Sequence, residues 1–418
     1  MVELEDRDGV LLVEDDAVGV LQALHNEDYE IQEVLADLVD NSIDAGSTLI
    51  EVGFEDCEYP GGEKEYGFLC ETGNYLIIKD NGKGVHPDKI RSALSRGHRR
   101  DYDEWELGHF GIGLKDSSFA QAYEITLFTK EKGGEVSILR YSSCAINSIG
   151  ENIHLSREAM TGEFSWMTET AGWDDAMDHM ESVDHGTAVL LEGLHKIEGM
   201  VTGNSSSRHV YIDKIRDRCE NYLRLAFEYY LKEGGAEIPL SYPDEVTGES
   251  TLKRGELTIT FNDNEITPLD PFCRGMVDPE SNYGTLIWEG EIATPVNQRP
   301  ADLRVSVYIL PNVGHHDYMA LRSKQEEDLE SALNKGAYGR QGLFIYRNMR
   351  LIDAAGTHPW KGVFGEVDNQ RTHLRWEVHL PPGRDIGTAD SEFRVNKSKR
   401  DIKFSPRIVK KLKQAKVR

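Results

Sequence analysis

The chain has 418 residues, too many for one ordinary hydrophobic core and enough for two or three domains of about 150 residues. With 39% hydrophobic and 29% charged residues, and no apolar run near the roughly 20 residues of a membrane span, its composition is that of a globular, non-membrane protein. The net charge of −26 excludes a protein that coats nucleic acid over its whole surface, yet residues 394–418 hold 11 basic residues against one acid, a local +10 that leaves −36 on residues 1–393.

The opening MVELEDRDGVLLVEDD is acidic and lacks the basic flank and long apolar stretch of a signal peptide, which places the chain in the cytoplasm or another reducing compartment. Five scattered cysteines (Cys57, Cys70, Cys144, Cys219, Cys273), none in CxxC spacing, suggest core thiols rather than a disulfide framework or a zinc site. His315 and His316 lie in NVGHHDYM with no partner at ligand spacing and read as a surface loop.

In chain order, residues 31–44 have helical periodicity, and LIEVGF, YLIIKD, YEITLFTK, GEVSILRY and TAVLLEGL read as strands. Helices packed on one face of a sheet are expected here. The stretch 150–182 is rich in Met, Trp and acids, and its pattern assigns no element. The polar run MVTGNSSSRH marks a break, so domains over 1–205 and 206–418 are expected. A long helix follows, with Ile212, Ile215, Cys219, Tyr222, Leu223, Ala226, Phe227 and Tyr230 at spacings of three or four, and Gly234 and Gly235 stop it. That helix is expected to link the domains. Beyond it ELTITF, GTLIWEGEI, LRVSVYIL, GLFIYRNMRLI and HLRWEVHL are β-like runs of a mixed α/β domain. Near the end, Ser405 reads as an N-cap and Pro406 as the first helical residue, with Ile408, Val409, Leu412 and Ala415 docked. Lys410, Lys411, Lys413 and Lys416 are then free to meet phosphates such as those of DNA, although such a run is as readily a solvated basic face.

Four segments of the first half carry candidate chemistry. In EIQEVLADLVDNSIDAGS, Ile31, Val34, Leu35, Leu38, Val39 and Ile43 share one helical arc, Asp37, Asn41 and Asp44 another, and Gly46 stops the helix. An amide four residues after a carboxylate suits a site where Asn41 ligates Mg and Asp37 positions a water, and an ordinary amphipathic helix has the same pattern. In YLIIKDNGKGV an apolar strand delivers Asp80, whose carboxylate can accept a hydrogen bond from an adenine amino group, while Gly82 and Gly84 permit close backbone approach; a commonplace turn looks the same. LGHFGIGLKDSS places Gly108, Gly111 and Gly113 before a helix, an arrangement that offers backbone N–H groups to phosphates without being a P-loop or a dinucleotide fingerprint. In HGTAVLLEGL, Thr187 opens a strand where its hydroxyl can support the base-binding carboxylate.

In this order the four segments resemble the nucleotide-binding boxes of the GHKL superfamily, which includes gyrase B, heat-shock chaperones, histidine kinases, MutL and MORC proteins. The resemblance implies an α+β chain: a Bergerat-type α/β sandwich nucleotide domain followed by a mixed α/β transducer domain. It further implies that Asn41 holds Mg, that Asp80 binds adenine with Gly82 and Gly84 shaping the pocket, that Gly108, Gly111, Gly113 and Lys115 meet the phosphates, and that Thr187 stands behind the base. Residues 86–107 would form the ATP lid. The segments GLKDSS and GRQGLFIYRNMRLI are similar to MORC-like and MutL-like proteins, the second as a transducer strand. VNKSKRDIKF resembles the MutL loop whose lysine reaches the γ-phosphate, which puts Lys399 at the matching position with Lys397 as a rival.

One residue departs from the family pattern: Asp37 stands where most hydrolysing members have glutamate, and Glu33 has the reach but not the spacing. The implied activity is an ATP-dependent, dimerising ATPase acting on DNA or a partner protein. A switch that binds ATP and hardly hydrolyses it is the alternative that Asp37 favours. A heat-shock-type chaperone is disfavoured because no client-binding region follows residue 418, and a histidine kinase because no phospho-acceptor helix is recognisable.

Overall fold

The computed structural model describes residues 16–57, 73–93, 103–108, 116–160, 165, 167–200, 205–244, 247–274, 285–293, 302–310, 319–335, 340–354, 365, 373–383, 393–395 and 402–415. The first half contains α1 (Ala17–His25), α2 (Ile31–Asp44), β1 (Leu49–Cys57), β2 (Gly73–Asp80), α3 (Ile90–Ala93), β3 (Ala122–Lys130), β4 (Ser137–Ser142), α4 (Ser143–Ile149), β5 (Leu155–Ser156), α5 (Ala171–Ser182), β6 (Gly186–Leu194) and α6 (His195–Met200). The second contains α7 (Ser205–Ala226), β7 (Glu237–Pro239), β8 (Thr251–Lys253), β9 (Thr258–Phe261), β10 (Asn264–Glu265), β11 (Thr285–Ala293), β12 (Asp302–Ile309), α8 (Met319–Leu333), β13 (Gly342–Arg347), β14 (Arg350–Ala354), β15 (Leu374–His379), β16 (Phe393–Val395), β17 (Ile402–Phe404) and α9 (Pro406–Ala415). The chain is thus mixed α+β, as the sequence suggests.

Among the described residues the larger sheet runs in the order β10-β9-β1-β2-β6-β3-β4-β5. Its strands are apolar on alternate residues and on both faces. Ile50, Val52, Leu76, Ile78, Ile125, Leu127, Val189 and Leu191 pack with α1, α2 and α7 in one core. Tyr75, Ile77, Phe128, Ala188 and Leu190 pack on the opposite face with Trp173, Ala176 and Met180 of α5. The expectation of helices on one face therefore needs correction. Both faces of β2 and β6 are apolar, and burying the second requires α5, which comes from the stretch that the sequence pattern left unassigned.

α2 begins in a capping box in which Glu33 accepts from the backbone N–H of Glu30 at 3.0 Å, and it ends before Gly46, whose φ is +81°. All six residues of its expected apolar arc are buried. That cap also gives Glu33 a structural task distinct from catalysis.

The second sheet runs β11-β12-β15-β13-β14 among the described residues. One face packs against β16, β17 and α9 through Phe393, Ile402, Ile408 and Leu412, and the other against α7 and α8 through Leu225, Leu329 and Ala332. GLFIYRNMRLI, expected to be one strand, is instead the hairpin β13–β14, turning at Asn348 (φ 50°) and Met349 (φ 64°). Two successive left-handed residues are what a tight two-residue hairpin turn demands.

The division between the sheets does not fall at residue 205. β9, from the ELTITF run, pairs parallel to β1 and extends the first sheet, and the side chain of Asn262 beyond it accepts from Phe54 N at 2.7 Å. α7 serves both halves, with Cys219, Leu223 and Phe227 in the first core and Leu225 in the second.

Candidate nucleotide site

The end of β2 carries a buried, multiply bonded carboxylate. Asp80 is 4% exposed, and its carboxylate accepts from Ser42 Oγ at 2.8 Å, Gly82 N at 2.8 Å and Ser47 Oγ at 3.2 Å. Burial pushes its pKa above the usual carboxylate range, and the hydrogen bonds from Ser42, Gly82 and Ser47 oppose the rise. Gly82 is required here, because a Cβ would lie 2.7 Å from Ser47 Oγ and 2.9 Å from Asp80 Oδ1. At Gly84, φ is +71° and a Cβ would sit 2.2 Å from the carbonyl oxygen of Lys130.

Two histidines brace the same turn. The ring Nε2 of His179 lies 3.1 Å from the carbonyl oxygen of Asp80, and Nδ1 of His185 lies 2.7 Å from that of Gly82. Asn81 accepts from Thr48 N and Leu49 N at 2.9 and 3.1 Å and so ties the turn to the α2–β1 connection. Thr187 stands opposite Asp80 in the β2–β6 register, but its hydroxyl faces that of Thr129 at 3.4 Å, and Thr129 in turn accepts from Val85 N at 2.8 Å. The carboxylate's protein partners are thus Ser42 and Ser47, while Thr187 belongs to a neighbouring hydroxyl pair.

Along α2, Asn41 is exposed and its amide has no partner among the described residues. One turn earlier Asp37 is 3% exposed. A carbonyl oxygen free for a hard cation fits Mg, which needs few protein ligands because it keeps several waters. Asp44, one turn beyond, accepts from Leu107 N at 2.9 Å and Gly108 N at 2.7 Å. The Gly108 donor is therefore used within the protein. Gly111, Gly113, Lys115, Lys397, Lys399 and Lys416 lie outside the described residues, as does the middle of the expected lid, 94–102.

Sequence reasoning missed Asp40. It is fully buried on α2 and accepts from Nε of Arg350 at 3.1 Å, a contact that joins the first helix to the second sheet. Burial disfavours the Arg350 cation, but the charge of Asp40 counters it and the guanidinium stays ionised. A cavity of about 320 Å³ separates the start of α2 from β14, lined by Gln32, Glu33, Lys335 and Asp353 among others. Asp353 also accepts from Ile402 N at 3.4 Å, which brings the β16–β17 hairpin to the cavity's rim.

The site thus combines a strand-end carboxylate held by two serines, a glycine turn admitting close approach and a neighbouring helix with an exposed amide. Over residues 29–187 the chain matches the family described as histidine kinase-, DNA gyrase B-, and HSP90-like ATPase. Within the class the chain is similar to MORC proteins: 31% identical over 100 residues to mouse ATPase MORC2B, 33% over 100 residues to human ATPase MORC2, and 24% over 116 residues to Protein MICRORCHIDIA 3 of Arabidopsis thaliana. These alignments cover 23%, 23% and 26% of this chain, and 9%, 9% and 18% of the respective relatives, so the chain spans only a small part of their length. Among the described residues no helix is long and apolar enough to cross a membrane.

Proposed function

We propose that the protein binds Mg-ATP at the Asp80 site and hydrolyses it, and that the bound nucleotide drives dimerisation of two copies that act on DNA or a partner protein. The observation that carries the reading is Asp80: a carboxylate buried at a strand end, fixed by Ser42, Ser47 and Gly82, beneath a turn that only glycine can make. In the reading, Asp80 accepts from the adenine amino group and Gly82 and Gly84 let the base approach. Thr187 and its partner Thr129 close the pocket behind it. Asn41 holds Mg, which when bound neutralises charge on the phosphate oxygens. Asp37 positions the attacking water, and Gly108, Gly111, Gly113 and Lys115 form the phosphate segment. Gly108 then acts through its carbonyl or its freedom of approach, since its N–H is on Asp44.

Lys399, which lies in sequence between β16 and β17, supplies a cation to the γ-phosphate, arriving only when the two sheets are correctly placed. Support comes from Asp353, which accepts from Ile402 and lines the cavity shared with α2. Lys410 and Lys413, exposed on α9 while Ile408 and Leu412 are buried, and Lys411, half-buried, offer a surface for DNA phosphates. The names of the relatives, which are ATPases, support turnover. The second reading, a nucleotide-gated switch with little hydrolysis, draws on Asp37, which is shorter than glutamate and buried.

Phosphate release at saturating Mg-ATP separates the two readings. Turnover is expected, with Lys399→Ala lowering it by about 10²–10³ while ATP affinity stays within a few-fold. Lys397→Ala is expected to be near normal. Absence of turnover in the unaltered protein selects the switch, and an inactive Lys397 variant beside an active Lys399 variant moves the catalytic lysine by two residues.

A further inference from the structure

The peptide units immediately before the glycine-rich segment are held from both sides by charged groups that no nucleotide-binding role explains. On one side the two oxygens of Asp44 accept from Leu107 N and Gly108 N at 2.9 and 2.7 Å. On the other, Nη1 of Arg347 donates to the carbonyl oxygens of Glu106 and Leu107 at 3.2 and 3.4 Å. Asn348 Nδ2 adds bonds to the carbonyl oxygens of Glu104 and Glu106 at 2.8 and 3.3 Å. The two clamps belong to different halves of the molecule, since Asp44 ends α2 and Arg347 and Asn348 are at the tip of the β13–β14 hairpin.

The tip is itself anchored in the first half. Tyr230 donates to the carbonyl oxygen of Asn348 at 2.8 Å, Met349 lies in the first core, and Arg350 holds Asp40. Arg347 is 6% exposed, so its charge has been removed from water. Burial lowers its pKa, and Asp44 is the strongest of the charges that counter this. A guanidinium is kept in such a place only if its donors are well used, and here they are used on main-chain carbonyls of a segment distant in sequence.

We propose that Asp44 and Arg347 are positioning residues: together they fix the lead-in to the phosphate segment and make its geometry depend on the second sheet. Asp44 lies three residues beyond Asn41, so the helix that offers a metal ligand also sets the backbone next to the phosphates. Arg347 closes the clamp from the hairpin. Neither touches nucleotide in this account. A shift of the hairpin is felt at Gly108 through two carbonyl bonds, which gives the second sheet a direct hold on triphosphate binding. The inference rests on the nucleotide reading above.

The test is calorimetric binding of Mg-ATP and of adenosine to the whole chain, unaltered and as Asp44→Asn, Arg347→Lys and the double variant. Asp44→Asn keeps the shape but turns an acceptor into a donor facing an N–H. Arg347→Lys keeps the charge but loses the planar fork. Each single variant is expected to bind ATP about tenfold or more weakly with adenosine affinity unchanged within twofold, because base binding does not use the clamp. The double variant is expected to be little worse than the weaker single one, since both residues hold the same peptide units. Equal losses for ATP and adenosine indicate general destabilisation and overturn the proposal, as does unchanged ATP affinity in both single variants. If the unaltered protein binds adenosine but not ATP, or neither, it is the nucleotide reading that fails first, and the clamp with it.

Discussion

His25, on α1, is one of the few side chains whose surroundings commit the protein to a pH dependence. Its ring lies 4.9 Å from that of His195 and 5.1 Å from that of Tyr123, and its Nε2 is 3.3 Å from Ser143 Oγ. Burial, and then the charge of His195, lower its pKa to about 4. A histidine with a depressed folded-state pKa contributes stability that is present above its unfolded value near 6.5 and is lost as pH falls toward 4. Full burial would make this about 3 kcal/mol; discounted for its partial exposure, about 1–2 kcal/mol is expected. Urea unfolding of the unaltered protein and of His25→Gln at pH 7 and pH 4.5 checks it, the variant losing less on acidification. Parallel losses would show that the imidazole is not responsible. At this scale the sequence marks candidate residues better than it marks their partners. Asp80 and Asn41 stand out because a glycine turn and a helical spacing flag them locally. Ser42 and Ser47 lie 38 and 33 residues from the carboxylate they hold, and no local pattern announces such pairs.

Among the elements, β1–β4 and β6 were legible because their alternation and length leave no helical alternative. The hairpin β13–β14 was not, since the run GLFIYRNMRLI is apolar on both faces and its turn lacks the usual glycine. Met349 takes a left-handed φ of 64°, which costs on the order of 1 kcal/mol, and its burial in the first core offsets that cost. α8 escaped notice because KQEEDLESAL is mostly polar and buries only a narrow stripe that includes Leu329 and Ala332. α5 carries its apolar side chains at helical spacing, Trp173, Ala176 and Met180, but among enough acids to blur the pattern.

The hairpin's tip also sets an element-scale prediction through Arg350 and Asp40. Removing one partner of a buried ion pair leaves the other unpaired, so Arg350→Met is expected to cost about 3–5 kcal/mol in urea unfolding. The double variant Asp40→Leu with Arg350→Met should regain most of it, because two apolar side chains need no desolvation of charge. If the double variant is as unstable as the sum of the singles, the pair is not the reason for the loss.

For the whole molecule, the first and second sheets share one helix, α7, and meet where the hairpin enters the first core. This junction could not be drawn from the sequence at residue 205, because β9 returns to the first sheet after α7 and the pairing is nonlocal. In the proposed reading, a nucleotide that orders the first site acts on the second sheet through Arg347 and Arg350, which bond to Glu106 and Asp40. If two closed copies associate, a non-hydrolysable ATP analogue is expected to shift the mass measured by light scattering from monomer toward dimer, by its greater affinity for the closed form. One mass with and without the analogue would count against that assembly.

Everything at this scale depends on adenine being read by the carboxylate at the end of β2. Asp80→Asn leaves the side chain's shape but puts an amide donor where the adenine amino group needs an acceptor. Calorimetric titration with Mg-ATP should therefore show affinity reduced by about 1.5–3 kcal/mol, roughly 10- to 150-fold, in a variant that unfolds normally. Binding of ATP at unchanged affinity by Asp80→Asn would contradict the assignment of the nucleotide site.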